Sequence, residues 1–68
     1  MRGKVRWFSD KRGYGFIKSK KIDKDIFVHF SQIQEEGYKT LEEGQEVEFE
    51  VFMSDRGLQA KNVVKCSQ

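Results

Sequence analysis

Proline is absent from this chain, and cysteine and histidine occur once each. The single cysteine, Cys66, excludes an intramolecular disulfide. The single histidine, His29, lies far from it in sequence, so histidine and cysteine cannot assemble a zinc site. No apolar run approaches a membrane span or a signal-peptide core, so neither membrane insertion nor secretion by that route is expected. Lack of a disulfide framework fits a reducing cytoplasm, and no cofactor or metal is expected. A chain of 68 residues buries only about 60% of its unfolded surface, so an apolar core must hold the fold without staples. No internal repeat, low-complexity tract or second-domain boundary is visible, and residues 1–68 read as one domain. Enzyme chemistry is also poorly served. His29 has no recognisable serine or cysteine nucleophile motif nearby, and Glu46, Glu48 and Glu50 form one solvated row rather than a paired-carboxylate centre.

Charge is present but unevenly placed. Residues 1–21 hold eight Lys/Arg against the single acid Asp10, a net of +7, while residues 22–68 carry a net of −5. The division fits either a basic face for a polyanion and an acidic face opposing self-association, or an ordinary solvated surface.

Strand signals dominate. Residues 3–9 read as a first strand, 10–13 as a turn, 14–18 as a second strand and 19–24 as a polar loop. Residues 25–30 form a third strand, and a long connection follows over 31–45 with room for one helical turn. Residues 46–53 form a fourth strand, 54–57 a turn and 58–65 a fifth. In the fourth strand, Val47, Phe49 and Val51 alternate with glutamates, as in a half-buried strand. Five short strands without a long helix predict an all-β, five-stranded antiparallel barrel, whose closure removes exposed edges.

Successive strand residues face opposite sides. Tyr14 and Phe16 therefore share one face, with Ile17 on the other; Phe27 and His29 share one face, with Ile26 and Val28 on the other. Aliphatics are the natural core set, which turns the rings outward. The opposite assignment would expose Ile17, Ile26 and Val28 together. An outward ring cluster among Lys and Arg suits single-stranded nucleic acid: bases stack on rings and cations track phosphates. A protein-interaction patch is the rival reading. Gly13 and Gly15 flank Tyr14 and leave its faces clear; the lysine and helix of a phosphate-cradling loop are missing.

Arg12-Gly13-Tyr14-Gly15-Phe16-Ile17 resembles the first ribonucleoprotein motif of the cold-shock domain, and Ile26-Phe27-Val28-His29-Phe30 resembles the second. Gly3-Lys4-Val5-Arg6-Trp7-Phe8 resembles the opening strand of that family; Gly37-Tyr38-Lys39-Thr40-Leu41 and Glu43-Gly44-Gln45 also fit. The resemblance runs through essentially the whole chain and implies an oligonucleotide-binding (OB) barrel that binds single-stranded RNA and DNA. It further implies a bacterial RNA chaperone and regulator of transcription or translation in the cold-shock response. Carried over by position, the stacking residues are Trp7, Tyr14, Phe16, Phe27, His29, Phe30 and Tyr38, with Phe8 a half-buried contact. Arg6 and Arg12 keep the charge where the family usually has lysine, and Asp25 and Arg56 fall at positions touching bases or backbone near the end of the site. A site of this architecture takes about 5–7 nucleotides. A monomer is expected, with strand exchange between chains as the alternative.

Two expectations depend on the backbone. Simple alternation puts Val5 and Trp7 on one face, which leaves a core position open for Trp7. Keeping Val5 in the core and Trp7 outside requires a bulge or strong coiling in the first strand. The segment Lys18–Lys24 is longer and more basic than is usual in the family, which offers additional phosphate contacts. Leu58 stands where the family often has proline, and Phe52-Met53 reads as packing at the end of the fourth strand.

Overall fold

The computed structural model describes residues 1–66. Its strands are β1 (Arg2–Ser9), β2 (Tyr14–Ser19), β3 (Ile22–His29), β4 (Glu46–Ser54) and β5 (Gly57–Lys65), with a short 3₁₀ turn at Phe30–Gln32 after β3. They close into a barrel in the order β1-β2-β3-β5-β4, with β4 pairing back to β1. All pairings are antiparallel except β3 with β5. The all-β barrel expected from the strand pattern is therefore the observed architecture.

The barrel is filled by apolar side chains, among them Ile17, Ile26 and Val28, which alternation assigned inward. Val5, Ile17, Ile26, Val28, Val47, Phe49, Ala60 and Val63 are buried, and Ile33 and Leu41 from the long connection join them. Full burial of such side chains contributes roughly 1.5–3 kcal/mol each. Among the described residues no polar or charged side chain is buried, so none of this gain is offset by desolvating an unpaired group. The connection over 33–45 runs against the barrel. Ile33 bridges to Val63, and the Gln34 amide donates to the Val63 carbonyl at 2.8 Å. Val5 exchanges hydrogen bonds with the Gln45 carbonyl and the Gly44 amide.

Three register shifts shape the sheet. Val5 pairs with Ile17 but Trp7 pairs with Phe16, so Arg6 is an extra residue in β1. That bulge reverses the parity between Val5, which is buried, and Trp7, which is 39% exposed. The bulge expected from the conflict at these positions is thus present. The second shift lies in β5, where Glu48 pairs with Val64 but Glu50 with Lys61. Asn62 occupies this bulge with φ 53°, a left-handed conformation that asparagine tolerates better than most residues.

The third shift corrects a sequence boundary. Ser19–Lys24 is not a loop: Ser19 pairs with Ile22 across a turn at Lys20 and Lys21, and β3 starts at Ile22 rather than Asp25. The added length is taken up within the sheet, because Ile17 pairs with Ile26 and β3 holds extra residues opposite Lys18. Phe30 likewise leaves the strand and opens the 3₁₀ turn. Phe52 and Met53 are 37% and 71% exposed rather than packed. Phe52 follows the outward parity of Glu48 and Glu50, with the Lys61 ammonium 5.8 Å from its ring centre.

Candidate nucleic-acid interface

The outward rings of β1, β2 and β3 meet. Trp7 and Phe16 are cross-strand partners with ring centres 5.5 Å apart, and Trp7 also lies 5.7 Å from Tyr14. Phe16 pairs with Phe27 at 5.8 Å, and Tyr14 lies 5.6 Å from Phe27. Most of these contacts are edge-on, the arrangement favoured by ring quadrupoles, while Tyr14 and Phe27 stack at 28° between planes. Rings that brace one another at their edges keep faces available for a flat ligand. They exist as one surface because the core residues Ile17, Ile26 and Val28 occupy the opposite parity.

Tyr14 is the register partner of His29, which carries the row to the end of β3. The His29 ring lies 4.6 Å from that of Phe30. It is oriented by the Ser31 backbone amide, which donates to Nδ1 at 3.3 Å, and by the Ser31 hydroxyl 2.8 Å from the same atom. Phe30 leans over Gly13, where an added Cβ would sit 2.9 Å from its ring. Gly13 also has φ 79°, so this turn position needs glycine for both backbone and space.

Beyond Phe30 an open cleft of about 410 Å³ is bounded by Asp10, Lys11, Arg12, Gly13, Gly37, Tyr38 and Lys39. Tyr38 is 71% exposed. A hydrogen bond from the Thr40 hydroxyl to the Asp10 carboxylate fastens this part of the connection to the β1–β2 turn. Lys11 and Lys39 were not singled out in sequence. Their signal is their place beside Arg12 and Tyr38, two residues that were.

Phe8 is half-buried and packs against the core, beneath the surface rather than on it. Arg6 and Arg12 are exposed. Arg6, on the β1 bulge, pairs with Asp25 at 3.5 Å, so two residues expected at the site lie together at one end of it. Arg56 is exposed in the β4–β5 turn, its amide bonded to the Ser54 hydroxyl at 3.2 Å. The parallel register of Phe27 with Gln59 carries that turn toward the Asp25 end of β3. Gln59 therefore sits beside Phe27, a neighbour that strand alternation alone could not reveal because it depends on the barrel's closing pair.

A closed five-stranded barrel with rings on its outer face and cations at their margins defines an oligonucleotide-binding-type module. Residues 1–66 match the family model for the 'Cold-shock' DNA-binding domain. The chain belongs to the cold-shock family. It is 61% identical to the cold shock protein CspB of Bacillus caldolyticus over 64 residues, covering 94% of this chain and 96% of that one. It is 57% identical to the cold shock-like protein CspC of Bacillus cereus over 65 residues, covering 96% and 98% respectively. The solved structure of drosophila Unr CSD456 superposes with a TM-score of 0.80, covering 97% of this chain and 26% of that longer one. At 23% identity, that likeness speaks for the fold alone.

Proposed function

We propose that this protein binds single-stranded RNA and DNA by stacking bases on Trp7, Tyr14, Phe16, Phe27, His29, Phe30 and Tyr38. The observation that carries the reading is the contiguous ring cluster on the outer face of a barrel whose core is otherwise complete. Folded proteins seldom expose contiguous apolar surface without a use for it. Each stacked base contributes roughly 1–3 kcal/mol, and a run of about 5–7 nucleotides would cover the row.

Arg6 and Arg12 serve the phosphates, Phe8 adds a half-buried contact, and Asp25 and Arg56 mark the far end. The protein acts stoichiometrically as a one-domain monomer in the cytoplasm. By binding unpaired strands it shifts RNA away from base-paired forms, as a ligand of one state must. This is the physical basis of an RNA chaperone that regulates transcription or translation. Base preference is loose, because every base offers a face to stack.

Titration of Trp7 fluorescence with oligothymidine at low salt tests the reading. Saturable quenching is expected; its absence, with no binding by an independent method, overturns the proposal.

A further inference from the structure

The outer face of β1 and β2 does not end at Trp7 and Phe16. The next inward pair is Val5 with Ile17, and the next outward pair is Lys4 with Lys18. Like charges directly opposite one another in a sheet are destabilising, and neither lysine has an ion-pair partner among the described residues. Beyond them the β2–β3 turn presents Lys20 and Lys21, and Lys24 follows on β3; all are exposed.

These residues border one broad groove, with Arg2 and Arg6 on the β1 side. Seven Lys/Arg and three acids line it, a net of +4, against +2 for the whole chain. Two of the three acids are already engaged, Glu46 with Arg2 and Asp25 with Arg6, each at 3.5 Å. The five lysines therefore face only Asp23 as an uncommitted acid. The groove contains no aromatic residue, so it offers charge without stacking.

We infer that this groove is a phosphate track for single-stranded nucleic acid continuing past the Trp7 end of the ring surface. The inference rests on the stacking function proposed above and adds a second, chemically different segment to that site. Strand geometry places Lys18 roughly 6–7 Å beyond Phe16 on the same face, so a bound strand passes from ring to lysine without leaving the sheet. The bulge at Arg6 keeps its guanidinium at the junction. Because no ring reads the bases here, the track recognises the phosphodiester backbone alone. It lengthens the site and steepens its salt dependence without adding base preference.

The test compares a thymidine hexamer with a thymidine dodecamer, followed by Trp7 fluorescence across a salt series. The variant carries Lys18→Gln, Lys20→Gln, Lys21→Gln and Lys24→Gln, all exposed positions; a thermal melt verifies that it folds. The wild type is expected to bind the dodecamer more tightly than the hexamer by more than the gain in overlapping registers. Its log-affinity against log-salt slope should be steeper by about 0.7 per added phosphate contact. The variant should hold the hexamer with near-wild-type affinity and lose roughly tenfold or more on the dodecamer at low salt.

Equal loss on both lengths would overturn the track in favour of a general field effect, and no loss on either would overturn it outright. A hexamer tail joined to a duplex stem provides the remaining arm. If the stem confers the same lysine-dependent gain, the groove accepts duplex and the single-strand track is wrong. Failure of the wild type to bind even the hexamer would instead sink the stacking function itself.

Discussion

A methyl group added at Gly15 would run into the Trp7 carbonyl oxygen and lie 2.7 Å from the Phe8 Cα. Both are backbone atoms of β1, so no change of rotamer relieves the clash. Gly15→Ala is expected to cost about 1–3 kcal/mol of stability, measured by urea denaturation. The neighbouring positions should separate cleanly. Ile17 is fully buried, and Ile17→Ala should cost about 2–5 kcal/mol in the same measurement. For a chain of this size that is a large share of a total near roughly 0.05–0.15 kcal/mol per residue. Phe16 and Phe27 are half-buried on the outer face. Phe16→Ala and Phe27→Ala should each weaken oligothymidine binding by about 1–3 kcal/mol while the barrel stays folded. Unfolding of either variant, with unchanged affinity in the fraction that remains folded, would assign that ring to the core.

At the level of elements, the bulges decide what each strand presents. Asn62→Val should destabilise by about 1–2 kcal/mol because a β-branched residue is forced to positive φ, whereas Asn62→Gly should stay close to wild type; equal melting temperatures for the two would refute the strain. Alternation within β2 and β3 was legible in sequence, because Ile17, Ile26 and Val28 leave little choice about which face is inward. The bulge in β1 was legible only as a conflict between Val5 and Trp7. The hairpin formed by Ser19–Lys24 was not legible: five of those six residues are polar or charged, and a pairing bought by one half-buried Ile22 leaves no periodic signal. Phe52 was misread for a related reason, since an apolar residue at a strand's end gives no sign of which parity will face water. The ring row itself was legible, but its edge contacts depend on the β1–β2 and β2–β3 registers, and the neighbouring Gln59 depends on how β3 meets β5.

Across the whole molecule, charge and rings divide the labour. The basic residues of the N-terminal segment flank the ring surface, with Arg12 near the Phe30 cleft and Arg6 near Asp25. Of the glutamates of β4, Glu48 and Glu50 point outward away from the rings, while Glu46 pairs with Arg2 at the edge of the basic groove. Arg12→Ala should therefore act chiefly through electrostatics, reducing the magnitude of the salt slope by about 0.7 if one phosphate contact is lost. An unchanged slope with reduced affinity would show that Arg12 acts by packing or stacking instead.

The closing pair of the barrel has a mechanical consequence. Within the two strands, β3 and β5 are registered at one pair, Phe27 with Gln59, supplemented past the end of β3 by the Ile33–Val63 bridge. The other junctions are longer ladders. This junction is thus the line along which the cylinder would unzip, opening it into a five-strand sheet still joined through β1 and β4. Phe27 stands on that line and in the middle of the rings. A strand stacked there would work as a clasp, and occupancy would be felt as resistance to opening at the point where the barrel is most thinly sewn.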